Sequence, residues 1–265
     1  MAVFGFIGTG NMGGALARAA AKKEGAKLLL ANRTAEKAET LAKELGATAV
    51  DNGTAAARAD YLLLGVKPQM MADMLDTIAP VLQARDTKPV LVTMAAGMTM
   101  EKIRMLAGGC CPVVRIMPNT PVSIGMGTVL YCVDAGVTEA QVTTLTDTFA
   151  AAGSFYPVAE HLMDAGSAVS GCGPAFVDLF MEAMADGGVA CGLPRSLAQS
   201  LAAETVRGSA ALALATGKGP AELKDAVCSP GGTTIQGVRA LENGGLRAAV
   251  MEAVIAAFEK NRDFR

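Results

Sequence analysis

Tryptophan is absent from this 265-residue chain, aromatic residues make up only 4%, and there is one histidine, His161. A single histidine leaves no basis for a Ser-His-Asp set or a histidine-rich metal site. Six cysteines are present (Cys110, Cys111, Cys132, Cys172, Cys191 and Cys228), but none forms C-x-x-C, so no metal is expected. They read as six reduced, buried thiols of a cytoplasmic protein. No apolar run approaches the roughly 18 residues of a membrane span. The first residues lack the basic segment of a signal peptide. The net charge of −2, with no basic run interleaved with aromatics, argues against nucleic acid or an anionic membrane as partner.

What the chain does have is small apolar side chains. Hydrophobic residues reach 51%, mostly Ala, Leu, Val and Met, as suits closely approaching helices. Over residues 1–160, short apolar runs alternate with helical stretches. The runs are Val3 to Ile7, Lys27 to Ala31, Tyr61 to Val66, Val90 to Met94, Val113 to Met117, Val129 to Val133 and Phe155 to Val158. Several are continuously apolar, as strands covered on both faces are. Helical patterns fall between them, at Met12 to Lys23, Thr34 to Leu45 and Gln69 to Leu82. This rhythm predicts an α/β fold with a Rossmann-type, doubly wound and mostly parallel sheet. Residues 161–265 carry helical periodicity and no convincing strand, which predicts an all-helical second domain.

In the stretch Ala175 to Ala190, Asp178, Glu182 and Asp186 share one narrow stripe and nearly everything else is apolar. A helix wet on so thin a stripe is buried on most of its circumference. About 100 residues of helix can hardly bury that surface alone, so a dimer through this half is expected; a core helix within a monomer is the other reading.

Two glycine-rich turns carry the chemistry. The run Val3 to Ile7 leads directly into Gly8-Thr9-Gly10-Asn11-Met12-Gly13 and then an amphipathic helix. That context turns a weak G-x-G-x-x-G signal into a dinucleotide fingerprint. Gly8 permits the tight turn, Gly10 the approach of a pyrophosphate, and Gly13 close helix–strand packing, while the helix N-terminus offers N–H groups to phosphate. At the end of the second strand, where NAD binders place a carboxylate, the chain reads Asn32-Arg33-Thr34. A cation at Arg33 suits a 2′-phosphate, so NADPH is predicted over NADH, although Thr34 also reads as a helix cap. Gly65-Val66-Lys67-Pro68 and Ala95-Ala96-Gly97 close later strands on the ligand side of such a sheet.

The second turn, Ser229-Pro230-Gly231-Gly232-Thr233-Thr234, opens a helix near the C-terminus. Its N–H groups and hydroxyls can converge on a small carboxylate; an ordinary helix start reads equally well. A chain holding a dinucleotide and a small acid is most simply a hydride-transfer enzyme. An activated C=N bond needs no histidine or metal to be reduced, only orientation against a nicotinamide.

Ser170-Gly171-Cys172-Gly173-Pro174-Ala175-Phe176, Val114-Arg115-Ile116-Met117-Pro118-Asn119-Thr120-Pro121 and Ser229 to Ile235, with Val66 to Pro68 and Ala95 to Gly97, resemble the pyrroline-5-carboxylate reductase family over nearly the whole chain. The resemblance implies NAD(P)H-dependent reduction of Δ1-pyrroline-5-carboxylate to L-proline, the last step of proline biosynthesis. It implies a helical domain interleaved between two subunits, within rings as large as a decamer. It implies a cofactor site of Gly8, Thr9, Gly10, Asn11, Met12, Asn32, Arg33, Asn52, Val66, Lys67, Pro68, Ala95, Ala96 and Gly97. It places the substrate carboxylate on Ser229, Gly231, Gly232, Thr233 and Thr234, with the Thr234 hydroxyl against the ring nitrogen as the catalytic group. Two departures are visible: Gly217 to Pro220 lacks an acidic residue found in some relatives, and Cys172 stands where Ser is common.

The competing enzyme reading is a two-domain imine reductase or β-hydroxyacid dehydrogenase. That class commonly carries a catalytic lysine on the first long helix after the nucleotide domain, and Ala175 to Ala190 has none. A non-catalytic NADP-binding sensor is the third reading, but it has no use for the Ser229 to Thr234 turn.

Overall fold

The computed structural model describes residues 2–263. It divides into two compact units: Met1–Cys172 with Ala257–Arg265, in their described residues, and Gly173–Ala256.

The first unit is built from β1 (Val3–Ile7), α1 (Asn11–Ala21), β2 (Lys27–Ala31), α2 (Ala35–Leu45), β3 (Thr48–Ala49), α3 (Asn52–Arg58), β4 (Tyr61–Leu64), α4 (Met71–Ala84), β5 (Val90–Thr93), α5 (Met100–Leu106), β6 (Val113–Pro118), β7 (Gly127–Val133), α6 (Glu139–Thr148), β8 (Gly153–Pro157) and α7 (Met163–Ser170). Its eight strands form one sheet in the order β3-β2-β1-β4-β5-β6-β7-β8. Pairing is parallel from β3 to β6; β7 runs antiparallel to β6, and β8 parallel to β7.

Side-chain alternation splits the core between two faces. Phe4, Phe6, Leu28, Leu30, Leu63 and Val92 pack with α1, α2 and α6. Ile7, Leu62, Leu64, Leu91 and Val113 pack with α3, α4 and α5. This is why the strands read as unbroken apolar runs.

The expected strands and helices of this unit are present with small shifts at their ends. Five elements of this unit go unnamed in the sequence reading: β3, α3, α5, α6 and α7. β3 is only two residues long, and α3, with its Ala-rich face and an Asp51 cap, carries too weak a period to stand out. The run from Tyr61 ends as a strand at Leu64, because Gly65 turns the chain away.

The second unit holds α8 (Gly173–Ala190), α9 (Arg195–Thr216), α10 (Pro220–Ala226), α11 (Thr233–Asn243) and most of α12 (Leu246–Arg262). Glycine C-caps in the left-handed conformation stop several helices, Gly217 after α9 among them. Among the described residues of this unit, only Ala185, Ala198 and Ala202 form a buried apolar cluster, where α8 and α9 meet. Leu179, Leu201, Leu212, Leu214 and Met251 are all about half exposed or more. So much apolar surface on a small helical unit marks an interaction surface.

The six thiols are free, yet only Cys111 and Cys132 are buried. Cys191 is exposed and the other three are partly so. The expectation of six buried thiols therefore holds for two, since Cys191 lies just past the end of α8 and outside the sheet core. Burial pushes the Cys111 thiol up to about 12, reinforced by the Cys110 sulfur 3.7 Å away, and the Cys132 thiol up to about 11. Thiolate is the reactive form. At neutral pH a thiol reagent is therefore expected to leave Cys111 and Cys132 unmodified in native protein and to reach them only after denaturation. Both groups keep their protons in the fold after the unfolded chain has lost them. Their contribution to stability should thus fall as pH rises from about 9 toward 11–12.

Candidate active site

The strand order reverses direction between β1 and β4, the position where open α/β sheets bind ligands beyond their C-terminal strand ends. Gly8 follows β1 and Gly65 follows β4, and their backbones nearly touch. Gly8 has φ +99°, and a Cβ there would lie 2.6 Å from the Gly65 carbonyl oxygen. A Cβ on Gly13 or on Gly65 would collide with the Gly8 carbonyl oxygen. Gly10 differs: a Cβ there meets no protein atom within 4 Å. It points into open space in front of α1, whose N-terminus has no side-chain cap and no acidic residue in its first turn. Those N–H groups are unpaired within the helix and carry the positive end of its dipole.

Three observations make this loop a cradle for a phosphate-bearing ligand. One is the uncapped helix end. Another is the Thr9 hydroxyl oxygen, buried without a hydrogen-bond partner, one of two such side-chain atoms among the described residues. The third is a cleft of about 390 Å³ lined by Asn32, Arg33, Asp51, Asn52, Gly53 and neighbouring α4 residues. Asn32 links the two parts, accepting the Thr9 N–H at 3.2 Å and donating to the Thr34 carbonyl at 3.1 Å. Arg33 is exposed, with its Nη1 3.9 Å from the Met70 sulfur. Thr34 occupies the cap position of α2 without a side-chain cap bond. Asp51 is engaged by α3, accepting the Thr54 N–H at 2.6 Å, which holds its carboxyl below the usual range.

The structure thus gathers Gly8, Thr9, Gly10, Asn11, Met12, Asn32, Arg33 and Asn52 around one end of the sheet. Val66, Lys67 and Pro68 follow β4 at that same end, with Lys67 exposed at the cap of a short 3-10 helix. Ala95, Ala96 and Gly97 follow β5 there too; Ala95 is buried and Gly97 has φ +73°.

The second glycine turn belongs to the helical unit. Ser229-Pro230-Gly231-Gly232 is a β-turn closed by the Gly232 N–H donating to the Ser229 carbonyl at 3.0 Å. Proline at its second position and glycine at its third, with φ +67°, match a type II turn. Gly232 then starts α11 with no side-chain cap. Since the Gly232 N–H closes the turn, the N–H groups free of intrahelical acceptors are those of Thr233, Thr234 and Ile235. Both threonine side chains are exposed. A cleft of about 810 Å³ in this unit lies elsewhere, along Asp178, Glu182, Asp186 and Arg195. It follows the polar stripe of α8 and contains no residue expected to bind cofactor or substrate.

One buried group escaped the sequence reading. Arg115, in the middle of apolar β6, is 2% exposed. Its Nη2 donates to Asp164 Oδ1 at 3.2 Å, and its Nη1 lies 3.9 Å from Glu160 Oε1. A charge inside a doubly covered strand was the available signal. Asn119 is likewise buried, donating to the Ser170 carbonyl at 2.9 Å and accepting the Thr128 N–H at 2.8 Å.

Comparison with known proteins bears on both halves. Residues 160–264 match a family model described as pyrroline-5-carboxylate reductase dimerisation, and residues 3–97 one described as NADP oxidoreductase, coenzyme F420-dependent. Pyrroline-5-carboxylate reductase of Glycine max is 38% identical over 98% of this chain and 94% of its own. The chain belongs to the pyrroline-5-carboxylate reductase family. Among solved structures, the Plasmodium falciparum pyrroline carboxylate reductase with NADP bound is 32% identical, covers 99% of this chain and 98% of its own, and superposes with a TM-score of 0.87. The Coxiella burnetii pyrroline-5-carboxylate reductase is 29% identical over 99% of this chain and 98% of its own, with a TM-score of 0.91. The two-unit build and the mostly parallel sheet are those of this reductase family.

The glycine contacts separate two substitutions that look alike in sequence. Gly13→Ala drives a Cβ into the Gly8 carbonyl and is expected to cost about 1–3 kcal/mol. Gly10→Ala, with an ordinary φ of −68° and open space around it, is expected to cost less than about 1 kcal/mol, the loss of a favoured N-cap residue being partly offset by a less flexible unfolded chain. Thermal melts of the two variants beside the parent protein check this.

Proposed function

We propose that this chain reduces the C=N bond of Δ1-pyrroline-5-carboxylate to give L-proline, with NADPH as preferred reductant and NADH as the alternative. The observation that carries this reading is the pairing of an uncapped, glycine-lined helix end in one unit with an uncapped type II turn and helix end in the other, in a chain of this family. NADP bound to the P. falciparum relative supports the choice of cofactor.

When bound, NADPH supplies a hydride to the imine carbon of a substrate whose ring nitrogen is protonated. The electron pair of the C=N π bond then passes to that nitrogen, giving the amine. The chain's part is to bind and orient. Gly8 to Met12 take the pyrophosphate on the α1 N-terminus. Asn32, Arg33 and Asn52 line the cleft assigned to the 2′-phosphorylated ribose end, where Arg33 supplies the positive charge. Val66 to Pro68 and Ala95 to Gly97 border the ribose and nicotinamide. In the second unit, Ser229, Gly231, Gly232, Thr233 and Thr234 receive the substrate carboxylate. The main-chain N–H groups of Thr233 and Thr234 act as donors, and the α11 dipole favours the negative charge. The Thr234 hydroxyl is placed against the ring nitrogen.

Residues 1–160 are assigned to nucleotide binding and 161–265 to substrate binding and self-association. Two or more copies associate through the apolar surface of the helical unit, with rings up to a decamer as the larger form, in the cytoplasm. Absence of a lysine from α8 weighs against a β-hydroxyacid dehydrogenase.

The direct test mixes pure protein, NADPH and Δ1-pyrroline-5-carboxylate and follows the loss of NADPH absorbance. Turnover only with a hydroxy acid and NADP⁺ would favour the dehydrogenase; cofactor binding without turnover of either substrate would favour a sensor. Arg33→Asp is expected to raise the NADPH KM about tenfold to a hundredfold, the loss of a charge-assisted contact, and the NADH KM little. Equal losses would remove Arg33 from its assigned place. Thr234→Ala is expected to lower kcat about tenfold or more while NADPH binding stays the same; an unchanged kcat would remove Thr234 from the reaction.

A further inference from the structure

Stability does not account for Arg115. A strand covered on both faces accepts an apolar residue, and replacing a buried ion pair by well-packed hydrophobic groups is often neutral or stabilising. What the charges hold in place is a better guide to their use. Glu160, which lies 3.9 Å from the Arg115 guanidinium, also accepts the Met100 N–H at 2.7 Å through the same oxygen. Met100 is the first residue of α5, so the carboxylate meets a positive helix end as well as an N–H donor.

The segment just before α5 is the Ala95–Gly97 turn. Its start is tied by the Ala95 N–H donating to Thr93 Oγ1 at 3.3 Å. Ala96 packs against the cluster of Met117, Leu130, Cys132 and Met163. Beyond its far end, Met98 is buried in the core, and Met100, three residues past Gly97, is held by its bond to Glu160. Glu160 in turn is set by Arg115, whose other arm is paired with buried Asp164 on α7. The chain of contacts runs from α7 through β6 to the turn, all inside the first unit.

We propose that Glu160, set by Arg115 and Asp164, is a positioning residue that fixes the Ala95–Gly97 turn for the nicotinamide end of the cofactor. The inference rests on the assignment of that turn to the cofactor site. Glu160 touches neither ligand and acts through the Met100 N–H. Removing that acceptor takes away one of the anchors just past the turn and loosens it, while the phosphate cradle and the Arg33 cleft keep all their own contacts.

The test follows amide hydrogen exchange over residues 95–102, with and without NADPH, alongside kcat. In the parent protein NADPH is expected to protect that segment. In Glu160→Ala, exchange there should rise about tenfold, the equivalent of one hydrogen bond, and kcat should fall about tenfold or more. Binding of 2′,5′-ADP, a probe for the Arg33 end, should not change. Glu160→Gln keeps an acceptor and should restore both exchange and kcat to within about twofold of the parent. If Glu160→Ala does not fold, Met100→Pro deletes the same N–H at a first helical position, where proline is accommodated, and the same rises and falls are expected. Parent-like exchange and kcat in Glu160→Ala, or in Met100→Pro where that variant stands in for it, would overturn the proposal. So would a Glu160→Gln variant as impaired as Glu160→Ala. Lack of NADPH protection in the parent would instead remove the turn from the cofactor site, and the positioning role with it.

Discussion

Three glycines meet at one point in this molecule, and the nucleotide-binding end of the sheet follows from their meeting. The Gly8 carbonyl is approached by Gly13 from one side and Gly65 from the other, so closely that no side chain fits at either. This lets the loops that follow the paired strands β1 and β4 stay in contact. It also brings the first turn of α1 down onto the end of β1. The open space at Gly10, the uncapped N–H groups of α1 and the unpartnered Thr9 hydroxyl all lie on the loop whose base these contacts fix.

Much of the architecture was legible in the sequence because its signals are local. Val3–Ile7 and Lys27–Ala31 are strands at the residues where continuous apolar runs begin and end. α10 opens on Pro220, whose fixed φ suits the first helical position. What escaped was short or weakly periodic: β3 has two residues, and α3 hides its buried face behind alanines. The thiols were misjudged for a different reason. Cysteine's usual preference for burial says nothing of where one particular cysteine falls, and Cys191 falls just past a helix end.

The site divides along the same line. Glycine spacing and the Asn32-Arg33 pair announce themselves within a few residues. The link from Arg115 to Met100 spans β6, Glu160 and α5, positions far apart in the chain, and no window of sequence contains it. Even so, an arginine between Val114 and Ile116 in an otherwise apolar strand was a local conflict, and such conflicts point to a constraint elsewhere in the fold. The Ser229 turn was half legible. Proline and glycine specify its shape, but only the geometry shows that the Gly232 N–H is spent on closing it, leaving Thr233 and Thr234 as donors.

The alanine-only core between α8 and α9 has a consequence for how the molecule comes into being. Three methyl groups cannot offset the ordering of some eighty residues, for which conformational entropy alone costs on the order of 1 kcal/mol each. Burial between copies is therefore expected to supply much of the helical half's stability and to couple its folding to assembly. Dilution alone should then loosen it, and the temperature at which it melts should climb with protein concentration, as for an obligate oligomer.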